Sequence, residues 1–598
     1  MRYFTSLLLC GLAATALAAE PAADHAEIVH ALNRLGYGPR PGDVERVAQT
    51  GLRAYIEQQL HPETIDDSAC ETVLKSLETL EFSGPQLAQA YYADIRKFIE
   101  QQRAAGGMSE EMKLRYGIDV GKSETSPSAP APATPAPKSA AERMQEAVQH
   151  VSVRALGELQ TAKVVRAVMS ERQLQEVLVD FWSNHFNIDA RKNECRSLKS
   201  LDDREVIRPH VLGKFRDLLG ASAHSAAMLA YLDNKDNSKP RELSVAEQKI
   251  RAAVVEKLVG FAAMQADDKP KMDGGLNENY GREILELHTL GVDGGYTQKD
   301  VQEVARCFTG WGIQPMKGEF GFDPRRHDDG EKVVLGVTIP AGGGRADGEQ
   351  VLDMIARHPA TAQHIAYKLC QRFIADEPPR AAVDRAAAVF TQTEGDLREV
   401  VRSIVESAEF AAPEARRAKV KSPFEFAISS VRILGATMNL EEPGGFEKVR
   451  WTMEGAAMIG FGAEATNRLP RKSLNWRIHD LGQPLFGYTA PTGWPEDSRK
   501  WVSAGALIAR LNFALDLVSG KVAGVSIPAA PSPAAAPENP EAFIDSIGDR
   551  FELPGLSEGT RRTLREQLVS ADDGTMASAG KKAQLVALVL GCPEFQRK

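Results

Sequence analysis

The segment 277–288, NENYGREILELH, combines carboxylates, amides and a histidine at spacings that could support acid–base chemistry. Glu283 and Glu286 are three residues apart, so a helix would place both carboxylates on one face. One of them could then act as a base while the other binds. His288 follows two residues later. In a purely structural alternative, Arg282 forms ion pairs with Glu278 and Glu286, each one helical turn away, and the group has no chemical role.

A second polar group lies in the segment 181–186, FWSNHF, where Asn184 and His185 stand among aromatic residues. A buried polar group without a hydrogen-bond partner in such surroundings costs about 1–3 kcal/mol. The polar groups of the two segments would avoid this cost most readily by forming hydrogen bonds with each other. We therefore predict one cleft shared by both segments.

The catalytic candidates of this predicted cleft are Glu283, His288 and His185. Its ligand-binding candidates are Asn277, Asn279, Asn184 and Trp494. The alternative for the histidines is burial in a core network, in which each ring bonds a carbonyl or a carboxylate.

A third group, YLDNKDNS at 231–238, is rich in oxygen-bearing side chains. Crowded in a turn, such side chains can hold a hard divalent cation such as calcium. Asp233 and Asn237 are therefore the metal-ligand candidates. The same residue types also form Asx turns without an ion, and that alternative stays open.

Signatures of the common enzyme classes are absent from the sequence. It contains no HExxH, GxSxG, GxxxxGK[ST] or EF-hand pattern. Three glycines at 342–344 predict a turn before a helix capped by Asp347, because no strand and lysine accompany them as in a phosphate-binding loop. The 72 Lys and Arg residues against 81 Asp and Glu residues give a net charge of −9, which argues against a nucleic-acid partner.

Helices are expected to position the candidate residues. Apolar residues recur at three- and four-residue spacing over 173–186, 351–373 with an interruption at Pro359, 400–410 and 504–518. After the 277–288 helix we expect a turn at Gly291 and a second helix capped by Thr297 together with Asp300.

Strand signals are few and predict one small hairpin that pairs 319–322 with 332–339. Two tracts rich in proline and alanine, 123–140 and 525–540, are expected to be extended linkers or surface insertions. The predicted fold class is therefore mainly α, a large multi-helix globular fold with one small β-hairpin.

The first residues have the layout of a secretory signal peptide. Arg2 gives a positive start, a short apolar stretch follows, and Ala16-Leu17-Ala18 offers a cleavage site. We therefore predict a periplasmic or extracellular protein with no transmembrane segment after signal removal. The predicted organisation is a signal peptide at 1–18 and helical regions at 19–122, 141–524 and 541–598, which the two tracts either separate or interrupt within one domain.

Five cysteines remain after removal of the signal peptide: Cys70, Cys195, Cys307, Cys370 and Cys592. No CxxC pattern occurs, which excludes a zinc ribbon and a thioredoxin motif. Export permits a disulfide, but the spacing assigns none.

Several long blocks resemble the bacterial family of proteins of unknown function called DUF1800. These blocks are HALNRLGYGPRPGDV at 30–44, LVDFWSNHFNI at 178–188, MLAYLDNKDN at 228–237, NENYGREILELHTLGVDGGYTQKDV at 277–301, FDPRRHDDGEKVVLG at 322–336, HPATAQHIAYKL at 358–369 and LGQPLFGYTAPTGWPEDSRKW at 481–501. The resemblance implies an exported, mostly helical protein, often encoded beside sulfatase-like partners. It supplies no catalytic residues. One departure is an insertion of about 30 residues between the third and fourth blocks.

Two classes of function fit the sequence. In the first, the protein is a binding or accessory protein of the envelope or extracellular space, with Tyr488, Trp494 and Trp501 as its aromatic surface for a sugar or a protein. In the second, it is an exported hydrolase-like enzyme, metal-dependent or not, that uses the Glu/His/Asn cleft. The absence of a catalytic signature favours the first class.

Overall fold

The computed structural model describes residues 23–93, 151–239, 275–440, 472–528, 539–553, 555–568 and 579–598. Helices dominate these residues and strands are short, so the mainly α fold is confirmed. The predicted signal peptide and the 123–140 tract lie outside the described residues, as does most of the 525–540 tract. Among the described helices, none combines the length and the apolar character needed to cross a membrane.

The helices up to residue 231 include one long helix, α5. In chain order they are α1 (His25–Arg34), α2 (Asp43–Thr50), α3 (Leu52–Leu60), α4 (Ser68–Leu74), α5 (Val151–Met169), α6 (Gln173–His185), α7 (Cys195–Leu201), α8 (Phe215–Ala223) and α9 (Ala226–Tyr231). A π-helical turn, Asp202–Ile207, continues α7.

The helices described after residue 275 are mostly short. They are α10 (Glu278–Glu286), α11 (Gln298–Cys307), α12 (Ala346–Ala356), α13 (Pro359–Phe373), α14 (Arg380–Gln392), α15 (Leu397–Val405), α16 (Ala408–Ala411), α17 (Pro423–Ile433), α18 (Leu474–Asp480), α19 (Ala504–Val518), α20 (Pro540–Arg550), α21 (Glu558–Leu568) and α22 (Ala579–Gly591). Short 3₁₀ turns include Asn234–Asp236 and Ser498–Trp501.

Apolar residues of both halves form one core. A single cluster of buried side chains runs from Ile28 on α1 to Phe595 near the end of the chain. Helix α5 is buried on nearly all sides, as expected of a helix at the centre of a core, and it packs against α4, α6, α7, α17 and α18. The site described below is therefore held by elements from distant parts of the chain.

The strands pair differently from the prediction of one hairpin. Strand β1 (Trp311–Gln314) pairs with β2 (Glu319–Phe322), and β3 (Lys332–Val334) pairs with β4 (Val337–Ile339), both antiparallel. The segment 319–322 thus takes its partner from the chain before it, not from 332–339. Two further two-residue pairs are β5 (Thr437–Met438) with β8 (Val525–Ser526) and β6 (Lys472–Ser473) with β7 (Val522–Ala523).

The helix–turn–helix predicted around Gly291 is confirmed. Gly291 has a φ of +85°, and the Thr297 side chain accepts a hydrogen bond from the Asp300 backbone while the Asp300 carboxylate bonds back to Thr297. Gly281 lets α10 and α11 approach closely, because a Cβ there would lie 2.9 Å from the Val301 carbonyl oxygen.

Two local predictions need correction. Helix α12 begins at Ala346, so Asp347 is not its cap; the Asp347 carboxylate is buried and accepts a hydrogen bond from Lys332 at 2.6 Å. The helix expected over 400–410 breaks into α15 and α16, because Ser407 caps the second helix.

The five cysteines are all buried free thiols, and burial raises the pKa of Cys70 and Cys307 to about 12.

Candidate functional site

The structure brings the two predicted polar segments into contact. The ring of His185, at the end of α6, donates from Nε2 to the backbone carbonyl oxygen of His288 at 3.0 Å. The centroids of the two imidazole rings are 6.1 Å apart. His185 is therefore bonded to a carbonyl, as in the structural alternative, and it also lies next to the other catalytic candidate.

Two residues of α13 complete this histidine cluster. The Lys368 ammonium donates to His185 Nδ1 at 2.9 Å, and the His364 ring lies 6.3 Å from that of His185. Since Nε2 of His185 carries the donated proton, Nδ1 is free to accept. Burial lowers the pKa of Lys368 to about 8, despite the opposing attraction of Glu496.

The three histidines of the cluster are neutral. Burial first, and then the nearby Lys368 ammonium, lowers the pKa of His288 to about 3 and that of His364 to about 4. The same causes hold the pKa of His185 well below its usual range. The Nε2 atom of His288 is buried and has no hydrogen-bond partner among the described residues.

Nothing in the described part of the chain has the arrangement of a metal centre. Groups of three or more His, Cys, Asp or Glu side chains that could hold a metal ion do not occur among the described residues. The histidine cluster also contains a lysine ammonium at its centre, and a positive charge there opposes the binding of a cation.

Glu283 lies on α10, and its backbone carbonyl oxygen accepts a hydrogen bond from the His288 backbone nitrogen at 3.0 Å. Its carboxylate is half-buried and forms no hydrogen bond or ion pair with a described residue. Burial, and then repulsion from Glu286, raises the pKa of Glu283. Of the two partners predicted for Arg282, Glu278 pairs with it at 3.4 Å, whereas Glu286 forms no ion pair with it.

Asn277 and Asn279 anchor the other end of α10. Asn277 caps the helix and donates to the Asp233 carbonyl oxygen at 3.1 Å, and Asn279 donates to the Leu232 carbonyl oxygen at 3.2 Å. At about 1.5 Å per helical residue, they lie roughly 15 Å from His288 along the axis. Asn277 and Asn279 therefore bond the 231–238 turn at the start of α10, whereas His288 follows its other end.

The side chains of the predicted metal turn, 231–238, form hydrogen bonds and an ion pair with other parts of the fold. The amide of Asn237 donates to Ala305, and its oxygen accepts from the Asn277 backbone at 2.9 Å. Asp233, with a φ of +58°, pairs with Lys192 at 2.8 Å. Asn234 donates to the carbonyl oxygens that follow α11. These side chains therefore join the turn to distant parts of the chain and are not local Asx turns.

The other two ligand-binding candidates, Asn184 and Trp494, are clamped together. The Asn184 amide nitrogen donates to the Trp494 carbonyl oxygen at 2.8 Å, and the Trp494 backbone nitrogen donates to the Asn184 side-chain oxygen at 2.7 Å. Gly493 permits this approach, because it has a φ of +67° and a Cβ there would lie 2.3 Å from the Asn184 carbonyl oxygen.

The clamp fixes a half-exposed group of aromatic rings, which we call the aromatic rim: Tyr488, Trp494 and Trp501. The Trp494 ring lies 4.5 Å from the Tyr488 ring and 5.6 Å from the Trp501 ring, centroid to centroid. Trp494 and Trp501 line the mouth of a narrow pocket of about 50 Å³. The pocket also contains Asn184, so the clamp positions the rim at this opening.

A buried charge network forms the floor of the pocket. Arg372, only 6% exposed, lies 3.3 Å from Asp180, 3.2 Å from Glu425 and 3.7 Å from Glu496. Lys163 also pairs with Asp180 at 2.6 Å. Lys598 and Arg372 hold the pKa of Glu425 well below its usual range, and the surrounding carboxylates raise the pKa of Arg372.

Two polar atoms of this pocket lack a protein partner. The Ser183 hydroxyl and Arg372 Nε are both buried, and neither has a hydrogen-bond partner among the described residues. Both residues line the pocket. Buried polar groups are normally satisfied, so these atoms are available to water or to a ligand.

Sequence reasoning missed Arg372, Glu425 and Glu496. The available signal was a charge inside an apolar helical run, as in IAYKLCQRF and SPFEFAI. A charge on the buried face of a helix requires a partner elsewhere in the fold. That signal indicates a partner but does not say which one.

A family model described as a protein of unknown function, DUF1800, matches residues 30–597. The chain belongs to the DUF1800 family. None of the curated proteins matches the chain, and none of the solved structures does. Four of the blocks that resemble DUF1800 proteins supply the site: 178–188 contains Asn184 and His185, 277–301 contains His288, 358–369 contains Lys368, and 481–501 contains the aromatic rim.

Proposed function

We propose that this protein is an exported binding protein whose ligand is a hydroxyl-rich molecule of the glycan class. The carrying observation is the aromatic rim at the mouth of a pocket that contains the unpartnered Ser183 hydroxyl and Arg372 Nε. Aromatic faces stack against the apolar face of a sugar ring, and buried polar atoms bond its hydroxyl groups.

The width of the pocket limits how such a ligand can bind. A volume of about 50 Å³ admits a few water-sized groups and not a whole sugar ring. The ring would therefore lie against Trp494 and Trp501, and its hydroxyl groups would enter the pocket toward Ser183 and Arg372. A polymer could pass along the rim with one unit recognised at the pocket.

Trp494→Ala is expected to weaken oligosaccharide binding at least tenfold, because it removes the central ring of the rim. The measurement is isothermal titration calorimetry with cellohexaose, chitohexaose and maltohexaose. Tyr367→Ala is the matched control, since its ring is 41% exposed and lies outside the pocket. Equal affinity of both variants, or no heat from any of these sugars with the wild-type protein, would contradict the proposal.

Export is part of the same proposal and rests on the layout of residues 1–18. Cleavage after Ala18 gives a mature N-terminus at Ala19. Mass spectrometry of the protein purified from the periplasm or medium should find that terminus, and an intact Met1 on exported protein would refute it. The family resemblance also implies a sulfatase-like partner. Co-purification from the native host would test this part of the proposal.

A hydrolase is the second candidate function, and two observations favour it. The His288 Nε2 atom is buried without a partner among the described residues, and the free carboxylate of Glu283 has a raised pKa suited to a general acid. Hydrolysis of the same oligosaccharides, lost in Glu283→Gln with the fold intact, would support this candidate over simple binding.

A further inference from the structure

A second cavity, separate from the aromatic rim, is lined by an unusual number of positive charges. It measures about 240 Å³ and lies between α1, the strand-like segment after residue 415, and the end of the chain. Its cationic lining residues are Arg416, Arg417, Lys421, Arg597 and Lys598. We call this space the basic cavity.

Of the two buried lysines that line the basic cavity, Lys421 and Lys598, Lys421 is the one without an ion pair among the described residues. The residue is 4% exposed, and its ammonium lies 4.0 Å from the centroid of the Phe595 ring. The ammonium forms no hydrogen bond or ion pair with any described residue, although cation–π contact with Phe595 compensates part of the lost hydration. A buried ammonium without a carboxylate is costly to keep charged.

Two arginines at the cavity are also without carboxylate partners. The guanidinium groups of Arg417 and Arg597 form no ion pair with any described residue. Arg417 has a φ of +56°, a conformation that is rare for a residue with a side chain and is often found at functional sites. By contrast, Arg416 pairs with Glu27 at 3.2 Å and Lys598 pairs with Glu425.

The carboxylates that line the basic cavity are committed elsewhere. Glu552 pairs with His25 at 3.0 Å, and Glu594 accepts hydrogen bonds from the Ser557 backbone and the Thr560 hydroxyl. Neither forms an ion pair with Lys421, Arg417 or Arg597. The lining therefore carries five cations against two carboxylates, and these three cations have no ion-pair partner among the described residues.

We propose that the basic cavity binds an oxyanion, the phosphate or sulfate group of a small ligand, between Lys421, Arg417 and Arg597. A tetrahedral oxyanion presents several acceptor oxygens, which match one ammonium and two guanidinium groups by charge-assisted hydrogen bonds. The cavity opens to solvent beside Arg597, which is exposed, so a small anionic group can enter it. This proposal is independent of glycan binding at the aromatic rim.

The charge state of Lys421 supports the proposal and gives it a pH signature. Burial lowers the pKa of Lys421 to about 7. Among the groups that face its ammonium, Glu425 and Cys592 raise this pKa, whereas Lys598 and Arg417 lower it. A bound anion favours the protonated ammonium, so binding takes up a proton. Sulfate does not titrate near neutrality, and its affinity should fall toward tenfold per pH unit above pH 7.

The test compares sodium sulfate with sodium chloride at equal ionic strength, by calorimetry and by thermal unfolding at pH 6. Sulfate should bind the wild-type protein, and Lys421→Met should weaken sulfate affinity at least tenfold. Lys299→Met, at an exposed lysine of α11, is the matched control and should bind as the wild type does. Phosphate and acetate titrations then separate a tetrahedral anion from a simple carboxylate.

The unliganded Lys421→Met protein should fold at least as stably as the wild type, because it no longer buries an unpaired charge. A defect in sulfate binding would then not reflect misfolding. Because sulfate stabilises most proteins without specific binding, only the difference between Lys421→Met and Lys299→Met counts. Equal sulfate responses of these two variants, or sulfate binding that does not change between pH 6 and pH 8.5, would overturn the proposal.

Discussion

Arg372→Met should lower the free energy of unfolding by about 3–5 kcal/mol, the range expected when one partner of a buried ion network is removed. Arg372 is the shared partner of Asp180, Glu425 and Glu496. Methionine preserves much of the side-chain volume, so the loss reports the charge and not a cavity. Urea unfolding followed by circular dichroism at pH 7 measures it.

The matched control is Arg380→Met, the same substitution at an exposed position. The Arg380 side chain is 81% exposed, and among the described residues it pairs only with Asp384, one turn along α14. Exposed pairs of this kind contribute about 0.5 kcal/mol or less. If Arg372→Met lowers the free energy of unfolding no more than Arg380→Met does, the network does not stabilise the fold and its charges have another role.

Arg372→Met would also change the ion pairs that line the pocket. Lys163 would still pair with Asp180, and Lys598 with Glu425, but Glu496 would lose its guanidinium partner. Glu496 lines the pocket, and its charge opposes the lowering of the Lys368 pKa by burial. The network therefore couples the pocket electrostatically to Lys368 of the histidine cluster.

Local features of this fold could be predicted from the sequence because they depend on residues close together in the chain. Thr297 and Asp300 form their capping box within one turn, and the helix α19 has the bounds that its periodicity predicts, Ala504–Val518. Strand pairing was harder. β1 was not recognised as a strand, and the tight turn at Gly318 lets β2 pair with it.

The candidate site was predictable only in part. His185 and His288 could be placed together because two polar groups in apolar segments need partners. The Asn184–Trp494 clamp joins residues 310 positions apart, and Arg372 meets carboxylates from three other segments. No local spacing specifies such partners; the packing of α6, α13 and α17 decides them.

His288→Phe should make the protein markedly less sensitive to acid. The folded state holds the pKa of His288 at about 3, against 6.5 for an exposed histidine. Between these values the unfolded state binds more protons, so the stability is present above pH 6.5 and is lost as the pH falls toward 3. From pH 7 to pH 4 the wild-type protein should lose about 3 kcal/mol more than the variant, at about 1.4 kcal/mol per pKa unit.

At pH 7 the same variant should be about as stable as the wild type, because phenylalanine replaces a buried ring whose Nε2 has no partner among the described residues. His288→Leu guards against crowding of the adjacent Phe186 ring, whose centroid is 5.0 Å away. His25→Phe, at an exposed ring of α1, is the control and should keep the wild-type response to acid. Acid unfolding curves that coincide for His288→Phe and the wild type would refute the assignment of His288 as a buried neutral group. Loss of hydrolytic turnover without loss of stability would instead assign it a chemical role, since the carbonyl that binds His185 belongs to the backbone and survives the substitution.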